Sequence, residues 1–227
     1  GSLGITAGQY FTALGASIPF ASVWTITPTT GEILLYALLL LLWCLSSQSI
    51  RARRILLSLG LLLILHFTQG LWWPVHPDES RINFLDVGQG SSTFMHLQDG
   101  SRILVDGGGS RTSTSNIGRR VIGPYLWKQR IWKLDQAVIS HPHSDHFNGM
   151  DFILARFQPT TLYINGDQRS EGSYKQILKQ AGQQGIQIIV PEAGRNIVTS
   201  KDFQLTVLGM NGLTVNGHAT VNDRCLV

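Results

Sequence analysis

The first third of this chain of 227 residues almost lacks charge. Between Gly1 and Pro77 the only charged side chains are Glu32, Arg51, Arg53 and Arg54. So few charges exclude an ordinary water-exposed surface for this stretch, because soluble domains carry charged residues throughout. From Asp78 onward the composition is that of an ordinary α/β protein. The chain therefore has two parts of different character.

Cysteine is also scarce. Cys44 lies in an apolar run and Cys225 lies near the last residue. If Cys44 is in lipid, the two thiols cannot meet, and we expect no disulfide. The chain begins with Gly-Ser instead of methionine and stops within DRCLV, so we expect a fragment of a longer protein.

Two uncharged apolar runs cover residues 33–50 and 55–75, and the sequence RARR separates them. A membrane-spanning helix needs about 20 mostly apolar residues, and short arginine-rich loops stay in the cytoplasm. We therefore predict a two-span membrane hairpin over 31–75, preceded by the tail of a membrane bundle over 1–30. The alternative is a pair of buried core helices. With the hairpin in a bacterial inner membrane, residues 76–227 lie outside the cytoplasm.

Residues 76–227 alternate between strand and helix patterns. Strands are predicted near 82–85, 93–97, 103–105, 136–141, 161–165 and 186–191, with helices at 116–128, 147–157 and 173–185. Two further segments, 203–210 and 220–227, look like an antiparallel pair. This order indicates an α/β layered sandwich.

The stretch AVISHPHSDHFNGM contains the strongest candidate site. His141 and His143 are two residues apart just after a strand, which places both side chains on one side. Asp145 and His146 follow where the loop turns into a helix. Imidazoles with a carboxylate suit Zn, Mn or a similar divalent ion, and the diverging pairs allow two ions a few Å apart. The alternative is a polar loop whose histidines are satisfied without metal.

Other histidines carry weaker signals. His66 and His76 belong to the second apolar run and its end, and His96 alternates within a strand. His218 is a possible further ligand, although its surroundings are also explained as turn and strand. We leave the role of His218 open.

The motifs resemble those of a known family. HPHSDH is similar to the HxHxDH signature of the metallo-β-lactamase superfamily. The order FLDVGQGSS, ILVDGGG and LDQAVISHPHSDHFNGM behind apolar helices resembles ComEC-type competence proteins, which take up DNA. The resemblance implies an incomplete αββα metallo-β-lactamase-like sandwich, truncated at its C-terminus, preceded by two transmembrane helices.

The same resemblance implies roles for individual residues. His141 and His143 would hold one metal ion, and Asp145 and His146 a second one. Asp106, which ends the third predicted strand, would orient the metal loop from behind the ligands. Three further points complete this assignment: Asp145 and His143 form the catalytic pair, Asp86 is structural or lies at the site edge, and Ser91 replaces the Asp that often follows GQG. The superfamily's later ligands would lie beyond this chain.

The segment 119–133 alternates basic and aromatic residues. We expect nucleic-acid contacts from five basic side chains: Arg119, Arg120, Lys128, Arg130 and Lys133. The alternative is a solvated helix face. The net charge of +4 and the pI near 9.3 favour an anionic partner.

Together these patterns predict a membrane-bound DNA-uptake protein with a metal-dependent nuclease domain that uses two Zn or Mn ions. Its partners would be single-stranded DNA, the membrane, the rest of the channel bundle and other competence proteins. A first alternative is a catalytically silent domain that binds or gates DNA. A second is a small-molecule metallo-hydrolase.

Overall fold

A computed structural model describes residues 2–19, 21, 24–45, 49–72, 76–109, 116–167, 172–199, 203–208 and 225–226. The helices are α1 Ser2–Ala16, α2 Thr30–Leu45, α3 Ile50–Trp72, α4 Gly123–Lys128, α5 Ser144–Phe147, α6 Met150–Phe157 and α7 Gly172–Gln183, and a π-helical turn, Gly118–Ile122, leads into α4. The strands are β1 Arg81–Phe84, β2 Thr93–His96, β3 Arg102–Val105, β4 Gln136–Ile139, β5 Thr161–Ile164, β6 Gln187–Ile189, β7 Asn196–Thr199 and β8 Gln204–Thr206.

Six strands form one mixed sheet in the order β1-β2-β3-β4-β5-β6. The first three are antiparallel, because short connections such as the Asp99-Gly100 turn join them. From β3 to β6 all neighbours are parallel, because helical segments connect them. This arrangement confirms the predicted α/β class.

Each face of the sheet packs against a different layer. Alternating residues such as Leu104, Ile139 and Leu162 face the core under the helices. Their neighbours Ile103 and Val138 face the small sheet formed by β7 and β8. The described residues therefore form a helix layer, a large sheet and a small second sheet.

Two predicted elements differ from the structure. β8 pairs with β7, whereas 220–227 was predicted as its partner; of that segment only Cys225 and Leu226 are described. The predicted helix over 147–157 is interrupted at residues 148 and 149, where Gly149 packs closely on the backbone of Gly107. The metal loop therefore has its own short helix, α5.

The two predicted membrane spans are not supported. Among the described residues, no helix combines the length and the apolar character needed to cross a bilayer. α2 has 16 residues, which gives a rise of about 24 Å against a hydrocarbon thickness of about 30 Å. α3 has 23 residues, but arginines occupy its first turns and His66, Thr68 and Gln69 its last ones. The apolar stretch between the arginines and these polar residues is therefore shorter than the whole helix.

The segment before α2 packs directly on the sheet domain. Ile26 is buried in the main core, and the ring of Trp24 stacks on that of Trp127 at a centroid distance of 4.9 Å. The backbone N–H of Thr27 donates to the carbonyl of Trp127 at 3.2 Å. Residues 24–27 are therefore structurally part of the domain that begins with β1.

Candidate metal centre

The candidate site lies where three parallel strands end. β3, β4 and β5 run in the same direction, so their carboxyl ends meet at one edge of the sheet. Asp106 follows β3, Ser140 and His141 follow β4, and Asn165 follows β5. Because ligands of open α/β sheets bind outside the carboxyl ends of strands, this edge is the expected place for a site.

Backbone hydrogen bonds shape the loop between β4 and α5. His143 is extended and precedes the first turn of α5, and its N–H donates to the carbonyl of His141 at 3.0 Å. The N–H groups of His146 and Phe147 donate to the carbonyl of His143 at 2.9 and 3.1 Å. These hydrogen bonds within the loop help to bring its three imidazoles together.

Asp106 is the centre of the hydrogen-bond network beneath this loop. It is 3% exposed and adopts a left-handed backbone conformation with φ 61°. Its Oδ1 accepts from the Ser140 N–H at 2.8 Å. Its Oδ2 accepts from the hydroxyls of Ser140 and Ser91 at 2.8 Å each, and from Nδ1 of His146 at 2.7 Å. Asp106 thus lies behind the loop, where the resemblance placed it.

Ser91 has a role that the sequence did not reveal. Its hydroxyl donates to Asp106, and its backbone carbonyl accepts from the Gly108 N–H at 2.9 Å. These two hydrogen bonds join the loop before β2 to the loop after β3 beneath the imidazoles. The only sequence signal was its position directly after GQG.

His141 is the most deeply buried of the three histidines. Its ring centroid lies 4.8 Å from that of His143 and 4.0 Å from that of His146. Burial and the neighbouring imidazoles lower the pKa of His141 to about 4, although Asp106 and Asp145 oppose the shift. His141 is therefore neutral near pH 7, the form that binds a metal ion.

Hydrogen bonding also fixes which nitrogen of His141 carries the proton. Nδ1 of His141 lies 3.0 Å from Oγ of Ser140, whose only proton goes to Asp106. Nδ1 of His141 must then donate, so its Nε2 keeps a lone pair for a ligand.

Hydrogen bonding also fixes the tautomer of His146. Burial acts to lower the pKa of His146, but the hydrogen bond and charge of Asp106 and the charge of Asp145 outweigh it, and the pKa lies above its usual value. A carboxylate only accepts, so Nδ1 of His146 donates to Asp106 and Nε2 points away from it. That Nε2 lies 3.7 Å from Oδ2 of Asp145, whose side chain is 44% exposed.

The chemical types of these donors suit a divalent cation, because three imidazoles and a carboxylate are ligands that Zn or Mn ions prefer. Within the described part of the chain, however, no three His, Cys, Asp or Glu side chains are grouped so that they could hold one ion. The shortest distance between ring centroids joins His141 to His146, at 4.0 Å, and so crosses the two predicted pairs. The assignment of His141 with His143 to one ion and of Asp145 with His146 to another stays a prediction, as does metal binding itself.

Two glycines set how closely neighbouring loops approach the metal loop. A Cβ on Gly90 would lie 1.9 Å from the carbonyl oxygen of Asp145, and Gly90 has φ 97°. A Cβ on Gly149 would lie 2.1 Å from the carbonyl oxygen of Gly107. The glycines of DVGQG, DGGG and FNGM therefore allow three loops to pack backbone against backbone around the site.

Asp86 and His218 lie apart from this network or outside the described residues. Asp86 is exposed, and its Oδ1 accepts from the Gly88 N–H at 3.3 Å, which makes it a turn residue. His218 belongs to a segment that the structure does not describe.

The basic segment 119–133 separates its charges from its aromatic rings. Trp127 and Trp132 are buried, so they fill the core and are not surfaces for stacking bases. Four basic residues are exposed: Arg119, Arg120, Lys128 and Lys133. The fifth, Arg130, turns toward α2 and forms an ion pair with Glu32.

Further polar residues at this edge escaped the sequence analysis. Asn165 and Asp167 are buried after β5, and the Asp167 N–H donates to the Asn165 side chain at 3.1 Å. Tyr174 on α7 packs its ring on Phe147 at 5.2 Å, and its buried hydroxyl has no hydrogen-bond partner among the described residues. Burial and the negative charges of Asp167 and Asp106 raise the pKa of Tyr174. The sequence feature that could have revealed this polar group is INGD, directly after a buried strand.

Comparison with known proteins agrees with this architecture. The family model "Metallo-beta-lactamase superfamily" matches residues 85–222. ComE operon protein 3 of Bacillus subtilis (strain 168) is 26% identical over 147 residues, which cover 60% of this chain and 19% of that protein. "Uncharacterized protein YcaI" of Escherichia coli (strain K12) is 34% identical over 84 residues, or 37% of this chain and 11% of that protein. The chain thus corresponds to a fifth or less of these relatives.

The predicted resemblance to ComEC-type proteins is confirmed, and the chain belongs to the metallo-beta-lactamase superfamily.

Proposed function

We propose that this chain is the metal-dependent phosphodiesterase part of a DNA-uptake protein. The observation that carries the proposal is the Asp106–His146 hydrogen bond of 2.7 Å beneath a loop with two further imidazoles. Metal-binding histidines commonly donate their second nitrogen to a carboxylate in this way. The similarity to ComE operon protein 3 supports the competence context.

In this proposal His141 and His143 hold one divalent ion, and Asp145 and His146 hold another. A bound ion of this kind polarises a phosphodiester and supplies hydroxide near neutral pH. The protein's part is to keep the imidazoles of His141 and His146 in the tautomer that presents Nε2. The side chain of Asp145 is 44% exposed, compared with 19% for that of His146, and we propose that substrate approaches from the side of Asp145.

DNA is the proposed substrate, and the four exposed basic residues of segment 119–133 are its proposed contacts. Arg119 is additionally held over the ring of Trp24, with its guanidinium carbon 5.3 Å from the ring centroid. The proposed contribution is electrostatic and independent of base sequence, because Trp127 and Trp132 between these residues are buried.

A location at the bacterial membrane, with the domain outside the cytoplasm, is part of the same proposal. What supports it is the exposed apolar surface of the helix pair, where residues such as Leu34, Leu41 and Leu62 are more than half exposed. Apolar patches of this kind mark contact with lipid or with other helices. The rest of a channel bundle and other competence proteins are the proposed partners.

The test compares cleavage of labelled single-stranded and double-stranded DNA with Mn or Zn added. In a protein that also carries the superfamily's later ligands, we expect cleavage. We expect the His143→Ala/Asp145→Ala double variant to be at least about 100-fold slower, since about 1.4 kcal/mol of lost stabilisation is tenfold in rate. Asp99→Ala, at an exposed turn, is the matched control.

Equal cleavage by wild type and double variant would refute the assignment. DNA binding without cleavage in either protein would favour the catalytically silent alternative, which agrees with the absence of a three-ligand group among the described residues. Cleavage of small phosphodiesters but not of DNA would favour the small-molecule hydrolase.

A further inference from the structure

Trp24 places an exposed aromatic ring beside the basic segment 119–133. Trp24 is 44% exposed, whereas Trp127 and Trp132 of the segment itself are buried. The ring of Trp24 stacks on that of Trp127, with 4.9 Å between centroids and an interplanar angle of 21°. Trp127 therefore covers one face of the Trp24 indole, and the opposite face points away from the core.

Neighbouring groups hold this indole in position. The ring of Phe152 lies 5.6 Å from that of Trp24 and 6.1 Å from that of Trp127, nearly perpendicular to both, and so packs against the side of the stack. The carbonyl of Trp24 accepts from Nη2 of Arg156 at 3.4 Å. Ile26, two residues later, is 1% exposed and anchors the segment in the core. A ring fixed in this way loses little conformational entropy when a ligand binds to it.

An exposed cation lies over the same indole. The guanidinium carbon of Arg119 is 5.3 Å from the centroid of the Trp24 ring. Because Trp127 occupies one face of that ring, Arg119 lies on the other. Arg119 and its neighbour Arg120 are both exposed. Proteins that bind single-stranded nucleic acids combine cations for the phosphates with aromatic rings and guanidinium planes on which bases stack. Both components meet here on one surface.

The backbone connects this surface to the metal loop. A Cβ on Gly118, the residue before Arg119, would lie 2.1 Å from the carbonyl oxygen of Gly149. Gly149 follows α5, the helix that carries His146, after one residue. The π-helical turn that presents Arg119 therefore starts in contact with the end of the metal loop.

We propose that Trp24 and Arg119 form a stacking site for one base of single-stranded DNA, and that Arg120 contacts the phosphate backbone beside it. The base lies on the outer side of Arg119, as a further layer of the stack that begins with Trp127. The proposal rests on the proposed function, because it identifies the part of the substrate that the basic segment holds. Every base has a π-face, so the site is independent of base sequence.

A lipid interface is the other environment that attracts tryptophan and arginine. The indole of Trp24 is enclosed between Trp127 and Arg119 and does not project from the surface. This layered arrangement suits a planar ligand better than a lipid layer. The stacking site is therefore assigned to a base, and contact with lipid is an outcome that the experiment must exclude.

The experiment measures binding of fluorescein-labelled strands by fluorescence anisotropy, with the full chain in nanodiscs of phosphatidylcholine and with EDTA to prevent cleavage. The probes are oligo(dT) and an abasic strand of equal length, which has the same phosphates but no bases. We expect oligo(dT) to bind at least about fivefold more tightly, which is the lower end for stacking of one base.

Four variants separate stacking from charge. Trp24→Leu should remove the preference for oligo(dT), and Trp24→Phe should keep part of it, because a smaller ring still stacks. Arg120→Gln should weaken both probes to the same extent, because a phosphate contact does not depend on the base. Trp43→Leu replaces an exposed tryptophan of α2 and is the matched control, with both affinities unchanged.

Two measurements do not depend on the folding of Trp24→Leu. Strands that carry iodouracil cross-link on irradiation to aromatic rings in contact with the base, and peptide mapping of the unaltered protein should find the adduct on Trp24. In nanodiscs of brominated phosphatidylcholine, which quenches tryptophan in lipid, Trp24→Phe should leave the quenched fraction unchanged.

Three results would overturn the stacking site and leave metal-dependent cleavage as proposed. They are equal binding of oligo(dT) and the abasic strand, adducts on other residues only, and a quenched fraction that falls in Trp24→Phe. A protein that binds neither strand would overturn the stacking site and the proposed action on DNA together.

Discussion

Asp106 accepts a hydrogen bond from Nδ1 of His146 at 2.7 Å, although the two residues are 40 positions apart. The contact joins the end of β3 to helix α5 and leaves Nε2 of His146 facing away from the carboxylate. Most other properties of the candidate centre depend on this pair, because Asp106 also binds the two serines that support the loop.

Replacing Asp106 with Asn should weaken metal binding. The amide cannot accept at both oxygen positions, so His146 loses its fixed tautomer. Changes of this kind typically cost 10–100-fold in affinity, and we expect that range here. Competition titration of Zn or Mn against a chelator measures it. Asp99→Asn, in an exposed turn, is the control, and equal affinities in the two variants would show that Asp106 does not support the ligands.

Ser91→Ala should lower the free energy of unfolding by about 1–2 kcal/mol, because it removes one donor from the buried Asp106 carboxylate. Denaturant titration of the metal-free protein measures the loss. Ser173→Ala, at an exposed position of α7, should change stability by less than about 0.5 kcal/mol. A loss of similar size in both variants would contradict the role given to Ser91.

Two neighbouring glycines provide a steric test of the loop packing. Gly90→Ala places a Cβ 1.9 Å from the Asp145 carbonyl oxygen and should destabilise the protein by about 3 kcal/mol or more. The Cβ of Gly88→Ala meets nothing within 4 Å, so only the backbone strain of its positive φ remains. For this variant we expect a loss of about 1 kcal/mol. Thermal unfolding of both variants gives the comparison. Equal losses would show that Gly90 is not held against the metal loop.

Glu32→Gln should reveal a pH-dependent contribution to stability. Burial acts to raise the pKa of Glu32, but the hydrogen bonds from Arg130 and Thr29 lower it to about 2 from 4.5. A lowered carboxyl pKa stabilises the folded state fully above about pH 4.5, and this stabilisation disappears as the pH falls toward 2. The variant should therefore lose up to about 3 kcal/mol at pH 7 and progressively less below pH 4.5.

The measurement for this variant is the free energy of unfolding as a function of pH. Glu79→Gln, at an exposed position, should follow the wild type throughout. A deficit of Glu32→Gln that stays constant from pH 7 to pH 2 would mean that ionisation of this carboxyl does not contribute.

Local sequence patterns predicted much of this structure. Short apolar runs located β2 to β5 to within two residues, and the spacing of His141 and His143 predicted that these two rings would be neighbours. The expected divergence of His146 from this pair was wrong, because the first turn of α5 brings its ring to 4.0 Å from that of His141. Ser91 was noticed only as a departure from a family pattern, because its partner Asp106 lies 15 residues away, directly after β3. The pairing of β8 with β7 was missed for a similar reason: the short segment NIVT has no clear periodicity of its own and becomes a strand through contact with the sheet domain.

The basic segment shows where a linear pattern misleads. Aromatic and basic residues alternate in the sequence from 119 to 133, which suggested a mixed surface. Helix geometry sends Trp127 inward and Lys128 outward, so the two residue types are on different sides. Arg130 could not be distinguished from the other cations, because its partner Glu32 lies 98 positions earlier.

That separation of 98 residues has a consequence for how the chain folds. During synthesis Glu32 leaves the ribosome well before Arg130, at about 5–20 residues per second. Until the sheet domain has formed, the carboxylate lacks its strongest cation and remains costly to bury. We therefore expect the helix pair to reach its final position only after the domain that follows it has folded, with the Glu32–Arg130 contact among the last to form.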